Sequence, residues 1–482
     1  MIVPTPRRLD HGPNPGVPLG ARLAVGHDAA LGPEAYVLDT TGGAGEGEAG
    51  DTSDDGSPSG APRVMLRAGG PAGEAYGRAS LAQLARHAVD GRYPAVRVSD
   101  APRFAHRGLM LDVARHVHPV ATILEAIDLM ASLKLNVLHL HLTDDQGWRI
   151  ETPSRPRLTQ VGALTQVGGG GGGYLTQADY RAIQDHARAA HVLVIPEIDL
   201  PGHVNAALVA YPELAPAGVT PEPYEGIEVG FSGLDAANPE TERFLEDVLG
   251  DLAAATDGPY LHLGGDECLA MSDADYLALV ALAARIVTAH GKRVVGWHEI
   301  GRSPQLPPGT LGQYWNFVTP RTADADEHGI DHAGRAASIV AQGGRLVMSP
   351  GDAVYLDHKY DDHTALGLVW DNGPTTLRDS YAWDPTLVVP GVGEDAIAGV
   401  EATCFTETIV TREDLFRMLL PRLAAVAEVA WSPRPDAARD VADLERRLPV
   451  LALAWREAGL PYERLDGVAW QAEPGDPAGP AV

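Results

Sequence analysis

From about residue 107 onward the chain keeps repeating one unit, a short apolar run of strand length followed by a longer segment that often reads as an amphipathic helix. Few folds accept that pattern. Eight such runs occur: "GLMLDVA", "LNVLHLHL", "HVLVIPEI", "YLHLGGDE", "RVVGWHEI", "GTLGQYWN", "RLVMSP" running on to "AVYLD", and "IAGVEATCF". Between them lie helical stretches such as "VATILEAIDLMASLK", "TQADYRAIQDHARAA" and "DADYLALVALAARIVTAH". Apolar strands alternating with helices specify a parallel α/β sheet covered on both faces. Eight units predict closure into a (β/α)8 TIM barrel rather than an open doubly wound sheet, and no GxGxxG fingerprint opens the first unit. The barrel is expected to be imperfect, with some helices missing. "GRSPQLPPG" between the fifth and sixth strands is too short and proline-rich for a helix, and the crossover from seven to eight reads mostly as loop.

The first hundred residues follow a different rule. "EAYVLDT" and "PRVMLRAG" alternate as strands do and "ASLAQLARHAV" is helix-like, so residues 1–100 read as a small α+β domain preceding a barrel over 101–482 with a C-terminal extension. Residues 41–60, nearly all Gly, Ser, Asp, Glu and Thr, predict a flexible loop. The 482 residues carry 65 acidic against 37 basic side chains, a formal charge of −28 that repels phosphate backbones and anionic membranes. Nucleic acid and membrane are therefore excluded as partners. Two cysteines, Cys268 and Cys404, build no disulfide framework. With "MIVPTPRRLD" lacking an apolar leader core and no apolar run of about 18 residues, a cytoplasmic protein is expected.

In such a barrel the active site lies at the C-terminal strand ends. Those ends carry Asp112 and Arg115, then His139, His141, Asp144 and Asp145, then Glu197, Asp199 and His203, then Asp266 and Glu267. The later strands add Trp297, His298 and Glu299, Tyr314 and Trp315, Tyr355 and Asp357, and Phe405 and Glu407. A single carboxylate there is more often a cap or an ion-pair partner than a catalyst, but eight strands ending this way shift the balance. Tryptophans and tyrosines among the acids suit a sugar, whose C–H face stacks while its hydroxyls bond.

Asp266 and Glu267 are sequence neighbours, whereas an ordinary glycosidase sets its two carboxyls on different strands about 5 to 9 Å apart. Both reach one pocket only if the strand is ending and turning, which Gly264 and Gly265 permit. Such a pair needs a division of labour: one carboxyl protonates the leaving oxygen and the other supports a nucleophile belonging to the substrate. "RGLMLDVARH", "LHLTDDQGWRIE", "VIPEIDLPGHVNAAL", "HLGGDE", "GWHEI", "QYW", "VYLD" and "GVEA…TETI" together resemble the family 20 glycoside hydrolases, the β-N-acetylhexosaminidases, in order over about residues 101–432.

That resemblance implies a retaining, exo-acting hydrolase of terminal β-linked N-acetylhexosamine working through an oxazolinium intermediate. Glu267 would be the general acid and base. Asp266 would hold the 2-acetamido N–H, and Tyr355 would donate to the acetamido oxygen. Arg115 and Glu407 would bind the sugar hydroxyls with Asp357, while Trp297 and Trp315 would line the acetamido pocket. Asp144 and His203, counted with the substrate-binding set, and Asp199 would form a shell that sets the charge and orientation of the pair. No cofactor and no metal is implied, and the partner is a carbohydrate: a chito-oligosaccharide, a muropeptide or a glycoconjugate. One departure is Phe405 where the family usually has tryptophan, which keeps a stacking face with less area and no indole N–H. The six glycines 168–173 read as a surface linker or a mobile loop above the pocket. Rival readings are a metal-dependent amidohydrolase, on the strength of "HLH", and a non-catalytic sugar-binding barrel.

Overall fold

A computed structural model describes residues 1–482 except 14, 43–61, 320–328, 370–372, 435–438 and 472–482. The segment 43–60, most of the expected flexible loop, thus lies outside the described residues. The chain divides into two compact units, Met1–Arg103 with Trp431–Val482, and Phe104–Ala430.

In the first unit five strands, β1 (Arg8–His11), β2 (Arg22–His27), β3 (Tyr36–Asp39), β4 (Arg63–Ala68) and β5 (Val96–Asp100), pair in the order β1-β5-β3-β4-β2. Alternation puts Tyr36, Leu38, Val64, Leu66, Val96 and Val98 on one face, where they form a core with Tyr76, Leu84 and Trp431. The helix supplying Tyr76 and Leu84 spans Pro71–Ala85, starting earlier and ending sooner than "ASLAQLARHAV" suggests. Its first turns contain Gly73 and Gly77, which read as loop. A Cβ on Gly77 would sit 2.3 Å from a Leu66 methyl, so the glycine permits the close approach of helix to sheet. The described residues after Trp431 join this unit: Ser432 donates to the Thr5 carbonyl (2.7 Å), and Arg447, on the helix Val441–Glu457, to that of Ile2 (3.2 Å).

The second unit is a closed barrel of eight parallel strands: β6 (His106–Asp112), β7 (Val137–His141), β10 (Leu193–Glu197), β11 (Tyr260–His262), β12 (Arg293–Trp297), β13 (Leu311–Tyr314), β14 (Arg345–Met348) and β15 (Ile397–Cys404). A two-stranded ribbon, β8 (Thr143–Asp144) and β9 (Gly147–Trp148), follows β7. All eight expected strands are present, but the seventh stops at Met348 and does not run on through "AVYLD", which begins in a helical turn, Gly351–Val354. The expected gap is present too: a 3-10 turn, His298–Arg302, stands where a helix would join β12 to β13. No described helix is long and apolar enough to cross a membrane.

The barrel interior is layered. Val137, Ile195, Val295, Leu311, Val347 and Ala398 form an apolar cluster inside it. Two residues further along the same strands, the same alternation turns His139, Glu197, Trp297 and Gln313 inward. With His262 and Glu401 they make a buried, largely polar layer beneath the strand ends.

Candidate active site

The turn after β11 answers how two adjacent acids share a pocket. Gly264 and Gly265 have φ of +67° and +101°, and Glu267 itself sits at +46°. A Cβ on Gly264 would lie 1.7 Å from Asp199 Oδ1, so only glycine fits. In return Asp199 Oδ1 accepts the Gly265 N–H (3.2 Å). The turned backbone brings both carboxylates to one imidazole: His203 Nε2 lies 3.8 Å from Asp266 Oδ2 and 3.5 Å from Glu267 Oε2. Asp266 Oδ1 is buried without a hydrogen-bond partner among the described residues. Burial first, then the Glu267 charge, push the Asp266 carboxyl up to about 7, although His203 opposes the shift. Asp199 is raised too, by burial and then by Asp266.

His203 is held from behind by Asp144, whose Oδ1 lies 3.3 Å from Nδ1. Asp144 is fully engaged. It takes Arg115 Nη2 at 2.8 Å, His141 Nε2 at 2.9 Å and the Asp145 N–H at 2.6 Å. Burial resists its ionisation, but Arg115 and His203 outweigh that and hold its carboxyl well below the usual range. Arg115 spans the site, over the Phe405 ring at 5.2 Å, with Nε 3.9 Å from Glu407. Burial drives Glu407 up to about 8, with Arg115 pulling the other way. Asp112 serves the frame, accepting the backbone N–H groups of Ala114 and Arg115 on one oxygen and the backbone N–H and the hydroxyl of Thr406 on the other.

The aromatic wall comes from four strand ends. Tyr355 lies 5.5 Å from Phe405 between ring centroids. Its hydroxyl is held well above the ordinary range by burial, then by Asp357, Asp266 and Glu267, so it stays a donor. Asp357 accepts the Phe405 N–H (3.3 Å). Trp315 donates its indole N–H to both oxygens of Glu299 at 3.0 Å. Trp297 is almost wholly buried, edge-on to His262 at 5.1 Å and 6.3 Å from Phe405.

The residues singled out in the sequence therefore converge at one end of the barrel, but not on equal terms. Asp144 and Asp199 are enclosed, the first against His203 and Arg115 and the second against the Gly265 N–H. Sequence reasoning overlooked how the layer below is wired. Glu197 meets His139 (3.0 Å), His141 (2.5 Å) and His262 (2.9 Å), and Glu401 meets His106 (2.7 Å) and His139 (2.8 Å). A lone acid inside the apolar run "IAGVEATC" was the available signal for Glu401. The "HLH" histidines are thus carboxylate-bound, each with both ring nitrogens facing an acid.

Fold and site together define a (β/α)8-barrel glycosidase. The model of the glycosyl hydrolase family 20 catalytic domain matches residues 104–434. A β-N-acetylhexosaminidase of Cellulomonas fimi is 44% identical over 468 residues, 97% of this chain and 87% of its own length. A β-hexosaminidase of Porphyromonas gingivalis is 34% identical over 78% of this chain, which spans 50% of that larger protein. Among solved structures, a family 20 β-N-acetylglucosaminidase aligns over 98% of this chain and 99% of its own, with TM-score 0.86 and 39% identity. A mutant Streptomyces plicatus β-hexosaminidase in complex with its product GlcNAc aligns over 98% and 97%, with TM-score 0.86 and 36% identity. The chain belongs to glycosyl hydrolase family 20, a family that acts by substrate-assisted catalysis, and this membership overturns the amidohydrolase reading.

Proposed function

We propose that this protein is a β-N-acetylhexosaminidase that removes terminal β-linked GlcNAc from a carbohydrate chain. The observation that carries the reading is Asp266 Oδ1, a buried acceptor with no partner beside a second carboxylate on the same imidazole. A buried unpaired acceptor is costly, and an amide N–H is the donor that satisfies it. The substrate's 2-acetamido N–H donates to Asp266, which aims the carbonyl oxygen at the anomeric carbon. Tyr355 donates to that oxygen. As the carbonyl oxygen bonds to the anomeric carbon, the bond to the leaving oxygen breaks and Glu267 gives it a proton. Water then attacks the same carbon, loses its proton to Glu267 and reopens the oxazolinium ring, so configuration is retained. Arg115, Glu407 and Asp357 bind hydroxyls, Phe405 and Trp315 stack on the ring and the acetamido methyl, and Trp297 backs the wall. His203, held by Asp144, offsets the charge left on Glu267.

Kinetics on aryl β-glycosides of GlcNAc, GalNAc and glucose test the reading, with the anomer released followed by NMR. Fast hydrolysis of the N-acetylated sugars to the β-anomer and near-inertness of the glucoside are expected. Glucoside cleavage at a similar rate, or release of the α-anomer, contradicts it.

A further inference from the structure

Arg149, directly after β9, is a buried cation that forms no ion pair among the described residues. All five of its N–H donors go instead to main-chain carbonyls. Nε and one Nη2 hydrogen reach Ala114 (3.1 and 2.7 Å), the other Nη2 hydrogen Thr165 (2.6 Å), and Nη1 both Ala163 (3.2 Å) and Gly173 (3.1 Å). Gly147 leaves it room, since a Cβ there would lie 2.0 Å from the Arg149 Cζ. Burial lowers the guanidinium to about 10, with Asp112 opposing, so it stays charged at neutral pH. Burying an unpaired charge is costly, and the carbonyls that offset it here belong to only two segments.

One is the turn carrying Arg115, whose backbone is fixed at consecutive groups: the Ala114 carbonyl by Arg149, the Arg115 N–H by Asp112 (3.1 Å) and the Arg115 carbonyl by the Val167 N–H (3.0 Å). The other is 163–173, which contains the six glycines. It leaves and returns at one point, because the Gly173 N–H donates to the Ala163 carbonyl (2.9 Å), and the guanidinium sits at that neck. Glycine-rich backbone loses the most freedom on ordering, so such a segment is placed by its clamps.

We infer that Arg149 is a positioning residue for Arg115, acting through the Ala114 carbonyl and the 163–173 segment to hold the Arg115 guanidinium where it meets the sugar hydroxyls. This rests on the hydrolase reading above. Asp144 (2.8 Å) and Glu407 (3.9 Å) both draw on the Arg115 side chain, so its fork is aimed correctly only while its own backbone stays in place. Val167 offers a way to loosen the clamp from outside. It is the second residue of a turn, Gln166 to Gly169, closed by the Gly169 N–H on the Gln166 carbonyl (3.1 Å) with Gly168 at φ +70°. That is a type II turn, which favours proline at its second position, so Val167→Pro keeps the turn and deletes the N–H that the Arg115 carbonyl accepts.

The test measures kcat/KM for an aryl N-acetyl-β-glucosaminide in the wild type, in Arg149→Lys, Val167→Pro and Arg115→Lys, and in each of the first two changes combined with Arg115→Lys, with thermal unfolding recorded alongside. Arg149→Lys should lower kcat/KM about 10²-fold, the size of a small misplacement remote from the chemistry. Val167→Pro should lower it about fivefold, the size of one hydrogen bond. In the Arg115→Lys background both penalties should shrink below about twofold, because changes that act through one partner do not add. Penalties undiminished in that background, or single variants as fast as wild type, overturn the positioning role and leave the hydrolase reading intact. If Arg149→Lys fails to fold, the Val167→Pro cycle decides alone. A wild type that does not cleave the aryl substrate overturns the underlying reading instead.

Discussion

Glu267 holds a backbone conformation that glutamate seldom adopts, and such local strain persists only where surrounding contacts over-determine it. Here the contacts are the Asp199–Gly265 hydrogen bond and the carbonyl of Gly265, which accepts from the Tyr276 hydroxyl at 2.7 Å. Gly264→Ala is therefore expected to cost about 1–3 kcal/mol in thermal unfolding and to abolish most activity, because the new methyl group displaces Asp199. Glu267→Gln should lose roughly 10² to 10⁴ in rate on substrates with poor leaving groups and far less on an activated aryl glycoside, which needs little protonation. Asp266 supplies a signed pH dependence. Its carboxyl is raised to about 7 in the free protein and must be ionised to accept the amide N–H. kcat/KM should then fall as pH drops through that value, while the limb in kcat lies at lower pH because the bound N–H favours the carboxylate. Coincident acid limbs in the two profiles would contradict this role.

Among the strands, the inward alternation that builds an apolar layer also plants Glu197 and Glu401 among histidines. Burial disfavours the His139 imidazolium, but Glu197 and Glu401 outweigh it and raise the group to about 9. A raised histidine contributes stability that is complete below its unfolded value and lost as pH climbs through the folded one. Thermal unfolding temperature should thus decline between about pH 6.5 and pH 9, and a folded His139→Gln variant should lose that slope. Glu197→Gln strands three histidines at once and should destabilise by about 3–5 kcal/mol, the cost of breaking a buried ion pair. Glu299 does for Trp315 what Asp144 does for His203. Glu299→Gln leaves only one oxygen for the indole N–H, and KM for N-acetylated substrates should rise more than kcat falls.

Across the whole molecule, the eight strands were legible because each is a short apolar run, most of them next to an amphipathic helix, and the barrel follows from their number. Strand-end chemistry was legible for the same reason, since the rule about C-terminal ends converts strand position into site position. The pairing of Asp266 with Glu267 was readable only in part. Adjacent residues normally diverge, and the turn that unites them depends on Asp199, 65 residues away in spacing no pattern reveals, meeting Gly264 across the strands. The polar layer was hidden because histidines and acids inside a barrel look like strand-end groups until the register is fixed. The helix Pro71–Ala85 was misjudged because its glycines, which lower helix propensity, are there to fit a sheet. The segment after Trp431 carries no signal in its sequence of which unit it joins.

In the proposed mechanism the substrate's own carbonyl oxygen acts as nucleophile while Asp266 and Glu267 divide the remaining work. Its most direct test is kcat/KM for one aryl β-glucosaminide bearing N-acetyl, N-fluoroacetyl, N-difluoroacetyl and N-trifluoroacetyl groups. Each fluorine withdraws electron density from that oxygen, so the account predicts a steep and regular fall along the series; a rate indifferent to fluorination would contradict it.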